Sequence, residues 1–496
     1  MTDRPNILLI MADQWRGDCL SIDGHPVVHT PTLDNLALSG TRFGRAYSAN
    51  PVCIPARISL MTGLSCATHG VVGFNTSVPW DFATTLAGEF TRHGYQTQAV
   101  GKMHAEPPRA QVGFQNVVLH SALGIVRDAM KKGMDPGMVD DYIPWLRERL
   151  GPGATPFEHG LDSNSVVARP WDKAEELHYT NFTVTQSLEF LRRRDPTKPF
   201  FLFTSFNAPH PPFDPPGWAF DMYMNMDLPE PPVGDWVDAF ADQAQPHSLS
   251  PSVAKLDPRV LRRNQAGYYG HITHVDHQIN RLLEGLAQYG VRDNTYICFV
   301  SDHGELLGDH HLFRKAKPYE GSARVPLILV GPRNSGIKRN HRVVDHVVEL
   351  RDIFPTLLEC AGLPVPEGLE GRSFLPLARG EECPGWRTYL HGENTSAGRS
   401  MQWLTDGREK YVWFSDTGRE QLFDLVNDPK ETVDLARRAD CARRVEHWRN
   451  ILVAELKGRE EGYSDGVRLI PGRPPTTVLA HARERMNRWR ERQLKA

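Results

Sequence analysis

Cys53-Ile54-Pro55-Ala56-Arg57-Ile58-Ser59-Leu60-Met61-Thr62-Gly63 is the stretch from which the rest of the chain is read. Its spacing predicts a helix. Pro55 suits a first turn, where proline has no N–H bond to lose. Arg57, Leu60 and Met61 favour helix, and Gly63 is a natural C-terminal stop. A cysteine at a helix N-terminus faces unpaired N–H groups and the positive end of the dipole. Arg57, four residues on, lies one turn above it on the same face. Such a position favours an anion. A lone cysteine is more often a buried core residue, so the context decides.

Outward from this helix the chain reads as α/β. Ile7–Met11 is an unbroken apolar run of strand length, suited to burial on both faces. Gln96–Val100, Phe200–Phe206, Thr295–Val300 and Pro326–Val330 are further strands. Helices are expected over residues 30–38, 84–93, 142–150, 179–194, 262–286 and 350–361. His271, His274 and His277 recur every three residues and spread over about a third of the long helix's circumference; a polar helix face is expected there. Two stretches, 105–171 and 211–258, are rich in Gly, Pro and charge, and are expected to border the site or to be surface insertions. Past Pro384 short strands take over, with Thr405-Asp406-Gly407 as a hairpin turn. A helix over 433–457 follows. The expected division is a large domain, 1–380, and a smaller antiparallel-sheet-plus-helix subdomain, 381–496.

Composition excludes several classes. A formal net charge of −3 offers no global field for nucleic acid. The seven cysteines are scattered with no CxxC pair, which argues against a disulfide framework or zinc knuckle. No run approaches a membrane span, and Ile7–Met11 is too short for a signal h-region with a cleavage site. A cytoplasmic, bacterial location is the expectation. Neither nucleic acid nor membrane is expected as a partner.

Four strands end in chemically able residues: Asp13-Gln14, Lys102-x-His104, His210 and Asp302-His303. In open α/β sheets ligands bind beyond the carboxyl ends of the strands, so the four sets can converge beside Cys53. Asp13, Gln14 and Asp302 offer oxygens to a hard cation; His303 adds a nitrogen that also admits manganese.

Cys53-x-Pro55-x-Arg57 followed by Leu60-x-Thr62-Gly63 resembles the signature of the sulfatases, in the alkaline phosphatase superfamily. The run Leu422-Phe423-Asp424-Leu425 and then Asp428-Pro429-x-Glu431 is similar to their C-terminal subdomain. The resemblance implies an alkaline-phosphatase-like mixed sheet sandwiched by helices. It also implies that Cys53 is oxidised to formylglycine by a formylglycine-generating enzyme, and that the hydrated aldehyde is the nucleophile. One divalent cation, calcium first and manganese second, would be held by Asp13, Gln14, residue 53, Asp302 and His303. Arg57 and Lys102 would hold residue 53 and favour its oxyanion. His210 and Lys315 would contact the sulfate, with Lys317 competing for the lysine's part. His104 would take a proton from the second hydroxyl, releasing sulfate by C–O cleavage.

Asn75 and His311 are weaker substrate-binding candidates, set against a turn and a solvated loop. Many sulfatases carry Asp-Asp and Asp-Asn where this chain has Asp13-Gln14 and Asp302-His303; these departures put the metal's identity in question. They also lean toward the related phosphonate hydrolases, whereas Lys102-x-His104 leans toward sulfate. The expected reaction is hydrolysis of an aryl, sugar or small-alcohol sulfate. A phosphonate monoester or phosphodiester hydrolase and a silent binding protein on the same fold are the alternatives. The arginine-rich arm beyond Pro471 is expected to have little apolar surface to fold on and to serve a homo-oligomer.

Overall fold

The computed structural model describes residues 4–338 and 341–495. Asn6–Asp13 lies inside an eight-stranded mixed sheet. In spatial order the strands are Asn116–Leu119, Gln96–Gly101, Phe200–Pro209, Asn6–Asp13, Thr295–Ser301, Leu327–Val330, Thr41–Phe43 and Arg342–Val344. Alternate residues of Asn6–Asp13 enter two different cores. Ile7, Leu9 and Met11 pack with Phe201 and Phe203 on one face; Leu8, Ile10 and Ala12 pack toward the long helix Pro258–Gln288 on the other. A strand covered on both faces has to be apolar throughout, and each buried Ile or Leu contributes about 1.5–3 kcal/mol.

Asn6–Asp13 pairs in parallel with Phe200–Pro209 and with Thr295–Ser301, and Gln96–Gly101 pairs in parallel with Phe200–Pro209. Four carboxyl ends therefore open on one edge of the sheet, bringing Asp13, Lys102, His210 and Asp302 together. Leu327–Val330 runs antiparallel to Thr295–Ser301 and makes the sheet mixed. Gly101 (φ 96°) lies where a side chain could not: a Cβ there would collide with the Ser205 carbonyl.

A second, four-stranded antiparallel sheet comprises Leu390–Ser396, Arg399–Thr405, Glu409–Phe414 and Glu420–Asp424. Trp403, Val412, Phe414 and Phe423 face Tyr47, Trp236 and Tyr319. Leu404, Tyr411, Trp413 and Leu422 pack under Val445, Trp448 and Leu452 of the helix Ala442–Glu455. Buried Lys410 pairs with Glu320 and Glu431, each at 2.8 Å, tying this sheet to the short helix Glu320–Ala323.

Several expectations are corrected. The 105–171 stretch contains an edge strand, Asn116–Leu119, and a helix, Leu123–Lys131. The strand is short and half-exposed, so it carries no apolar run. The 433–457 helix begins only at Ala442, after two 3-10 turns, the first capped by Asp434. His271 and His274 are fully buried rather than on a polar face; only His277 is exposed, stacked on Trp218. The C-terminal arm does find a surface to fold on, within its own chain. Val478 bridges Val71, Ala482 joins the main core, and Arg485 donates to the His69 carbonyl at 2.9 Å. Among the described residues no helix is long and apolar enough to cross a membrane.

Candidate active site

Cys53 opens the helix Cys53–Thr62, which Gly63 ends in the left-handed conformation (φ 69°). The whole helix is buried, so its N-terminus is presented to the sheet edge in low dielectric. Cys53 Sγ lies 3.1 Å from His303 Nε2, 3.8 Å from Asp13 Oδ1 and 3.9 Å from Lys102 Nζ. Burial and Asp13 push the thiol's pKa up, but Lys102, Lys315 and His303 outweigh them and hold it well below the usual range. An anion is thus favoured at this position.

Asp13, Cys53, Asp302 and His303 each place one donor atom within 4.8 Å of the others, all fully or almost fully buried. His303 Nδ1 donates to the Gly304 carbonyl at 2.9 Å, which turns Nε2 toward the cluster. Burial and Asp13 raise Asp302. Asp13 is held low because Lys102, Lys315 and His303 outweigh its own burial. Two buried carboxylates of unequal acidity, one carrying the strain of the other's charge, form a donor set that a divalent cation would relieve. Gln14 (φ 73°) completes the rim; its Oε1 accepts from Lys315 Nζ at 2.6 Å. A second group, His178, Asp214 and His271, is equally close. There His271 Nε2 already accepts the Asp214 N–H at 2.9 Å, so that lone pair is spent.

Arg57, expected beside residue 53, directs its guanidinium elsewhere. It donates to Asp302 Oδ2 (2.8 Å), the Lys102 carbonyl (2.7 Å), Ser205 Oγ (2.9 Å) and Asp13 Oδ2 (3.4 Å). It braces both carboxylates and the end of the Gln96–Gly101 strand. Lys102 contacts Asp13 Oδ2 as well as Sγ.

Above the cluster is a cavity of about 500 Å³. Cys53, Lys102, His104, His210 and Lys315 line it. His104 (φ 63°) lies against Cys53; burial lowers its pKa, and its Nδ1 has no hydrogen-bond partner in the protein. His210 Nδ1 donates to the Pro211 carbonyl at 2.6 Å, and burial with Lys315 holds the ring neutral. Both long insertions supply walls, through Leu123, Asp128, Ser163, Asn164, Gln243 and Ser252, and the second sheet contributes Thr395–Ala397.

Two expected substrate contacts lie elsewhere. Asn75 caps its own turn, accepting the Ser77 N–H at 2.9 Å, and lines a neighbouring cavity; Phe74 and Thr76 face the Cys53 cavity in its place. His311 (φ 61°) lines a separate groove with Leu261 and Phe313, because its left-handed backbone turns it away. Glu305 was not singled out from sequence. Its Oε2 accepts from Gln14 Nε2, and its Oε1 accepts the backbone N–H groups of Leu307 (2.8 Å) and Arg314 (2.5 Å). It fixes Gln14 and the lysine segment together. Glu305→Gln is expected to weaken metal binding and turnover about 10–100-fold, measured by calorimetry and kcat; unchanged values would assign Glu305 to the loop alone.

A buried thiol at a helix N-terminus, beside a carboxylate–histidine cluster at the carboxyl edge of a mixed sheet, is the arrangement that the sequence resemblance leads one to expect. The sulfatase family pattern matches residues 5–363, and the pattern of the N-sulphoglucosamine sulphohydrolase C-terminal region matches 308–457. The chain belongs to the sulfatase family. It is 46% identical to an arylsulfatase of Clostridium perfringens, over 97% of this chain and 100% of that one. It is 30% identical to the multifunctional alkaline phosphatase superfamily protein PehA of Trinickia caryophylli, over 87% and 91%. Among solved structures it superposes on a phosphonate monoester hydrolase of Agrobacterium radiobacter with TM-score 0.76 and 29% identity, covering 91% of this chain and 95% of that one.

Proposed function

We propose that the chain hydrolyses sulfate monoesters at residue 53 after a formylglycine-generating enzyme has oxidised Cys53. The observation that carries this reading is the position of Cys53 Sγ. It lies 3.1 Å from His303 Nε2 and 3.9 Å from Lys102 Nζ, at the floor of a cavity walled by His104, His210 and Lys315. The arylsulfatase relative at 46% identity supports it.

Asp13, Gln14, Asp302 and His303 would hold one divalent cation, with residue 53 beside it. The three oxygen donors favour calcium, and His303 admits manganese. A bound cation would acidify a hydroxyl of residue 53 and offset the sulfate's charge. Hydrated formylglycine supplies two hydroxyls, one to attack sulfur and one whose deprotonation regenerates the aldehyde. Lys102 keeps positive charge at residue 53, and Arg57 holds the two carboxylates in place. His104, neutral with an unpartnered Nδ1, takes the proton from the second hydroxyl. His210 and Lys315 hold the sulfate and stand beside the leaving oxygen.

A second reading, hydrolysis of phosphonate monoesters or phosphodiesters, is favoured by the Agrobacterium structure and by Gln14 and His303. The two are separated by kcat/KM for an aryl sulfate against matched aryl phosphonate and phosphodiester. The sulfate is expected to win; phosphorus substrates faster by orders of magnitude would overturn the proposal.

A further inference from the structure

We propose that Arg314 and Lys317 form a second anion subsite in the Cys53 cavity, which selects a sulfate ester carrying a further acidic group, a carboxylate or a second sulfate. This rests on the sulfatase reading above. Lys317 is only 4% exposed, yet its one hydrogen bond goes to a neutral group, Gln243 Oε1 at 3.2 Å. An ammonium has three donors, so two are left over. Asp242, the carboxylate whose field reaches it, is paired with Arg399 instead. The Phe240 ring, 4.8 Å from Nζ, holds the charge without neutralising it. Burial and Arg399 lower the ammonium to about 8, as befits a cation whose counter-ion is still to arrive.

Arg314 repeats the pattern. Its Nε is buried without a hydrogen-bond partner. Its backbone N–H is anchored by Glu305, and burial lowers its pKa against the fields of Glu305 and Asp162, neither of which forms a salt bridge with it. The segment is held in a costly shape: Arg314 (φ 66°) and Ala316 (φ 70°) are both left-handed, a conformation that L-residues rarely adopt. Strain of this kind persists where the surrounding structure imposes it, often at ligand clamps. In this shape Arg314, Lys315 and Lys317 all line the cavity. Lys315 is bonded to Gln14, and Lys102 is paired with Asp13. Arg314 and Lys317 are therefore in excess of what one sulfate and the metal cluster use.

Neutral polar groups of Gln243, Ser252 and Ser396 share the lining, and its one carboxylate, Asp128, stands on the Leu123–Lys131 helix. Arg314, Lys315 and Lys317 line one cavity of about 500 Å³, so the second acidic group belongs on the same ring as the sulfate or the next one.

The test compares kcat/KM for 4-carboxyphenyl sulfate, its methyl ester and 1,3-phenylene disulfate. Leaving-group differences cancel when the acid-to-ester and disulfate-to-ester ratios of the wild type are divided by those of a variant. Lys317→Gln is expected to lower at least one ratio about tenfold or more, as for a buried charge-assisted hydrogen bond. Arg314→Gln should do the same, and Lys317→Arg should retain the preference. The arm with the larger fall names the second group. Ratios unchanged in both glutamine variants overturn the subsite, and Arg314→Gln stands alone if Lys317→Gln does not fold. If none of the three compounds is turned over, the sulfatase reading fails. Calorimetric binding of the same compounds then decides the subsite: tighter binding of the charged ones, lost in Lys317→Gln, supports it, and equal binding overturns it.

Discussion

Cys53→Ala is expected to lower turnover about 10⁴-fold or more while moving Tm by only a few degrees. The large effect follows from where the residue stands. Sγ is the atom that the helix N-terminus, His303, Asp13 and Lys102 all surround, and loss of a nucleophile removes most of an enzyme's rate advantage. The small effect follows from size. One sulfur is removed from a helix whose packing rests on Ile54, Ile58, Leu60 and Met61, and a void of that volume costs on the order of 1 kcal/mol. Activity within about tenfold of wild type would place the nucleophile elsewhere.

Asp302→Asn is expected to lose the metal and to cut kcat by about 10³-fold, since the charge that holds the cation disappears while the shape remains. The Arg57 Nε–H can still donate to the amide oxygen, so Arg57, also bonded to Ser205 and the Lys102 carbonyl, stays in place. Alanine would leave that buried guanidinium short of a partner and confuse stability with function. The cluster also sets a pH dependence. Without a cation, burial and Asp13 raise Asp302, so below its titration a bound ion competes with a proton for that carboxylate. Calcium affinity is therefore expected to rise with pH through the Asp302 titration, with proton release measurable by calorimetry in buffers of different ionisation enthalpy. Full activity after exhaustive chelation, or calcium affinity unchanged in Asp302→Asn, would contradict the assignment.

The central strands and their chemistry were legible because two physical constraints act together. Burial on both faces forces an apolar run such as Ile7–Met11, and parallel order brings the carboxyl ends to one edge, where Asp13, Lys102, His210 and Asp302 follow directly. Side-chain direction in loops has no such constraint. Asn75 and His311 stand beside residues near the expected region, but a capped turn and a left-handed φ turn them out of the cavity. Phe74 and Thr76, adjacent in sequence, face it. Glu305 left only a weak trace, a carboxylate three residues after Asp302; its role depends on Gln14, which arrives from another strand. Arg57 was legible as a cation near residue 53, but not as the brace between two carboxylates. The C-terminal arm reads as having little apolar surface to fold on, because the surface that receives its Val478, Leu479 and Ala482 is built from residues hundreds of positions earlier.

The central claim, that residue 53 acts as formylglycine, is tested most directly by mass analysis of its tryptic peptide across preparations matured to different extents. The account predicts an aldehyde or its hydrate in place of the thiol, with kcat for an aryl sulfate proportional to the modified fraction. A preparation that carries only the Cys53 thiol and turns over at the full rate would contradict it.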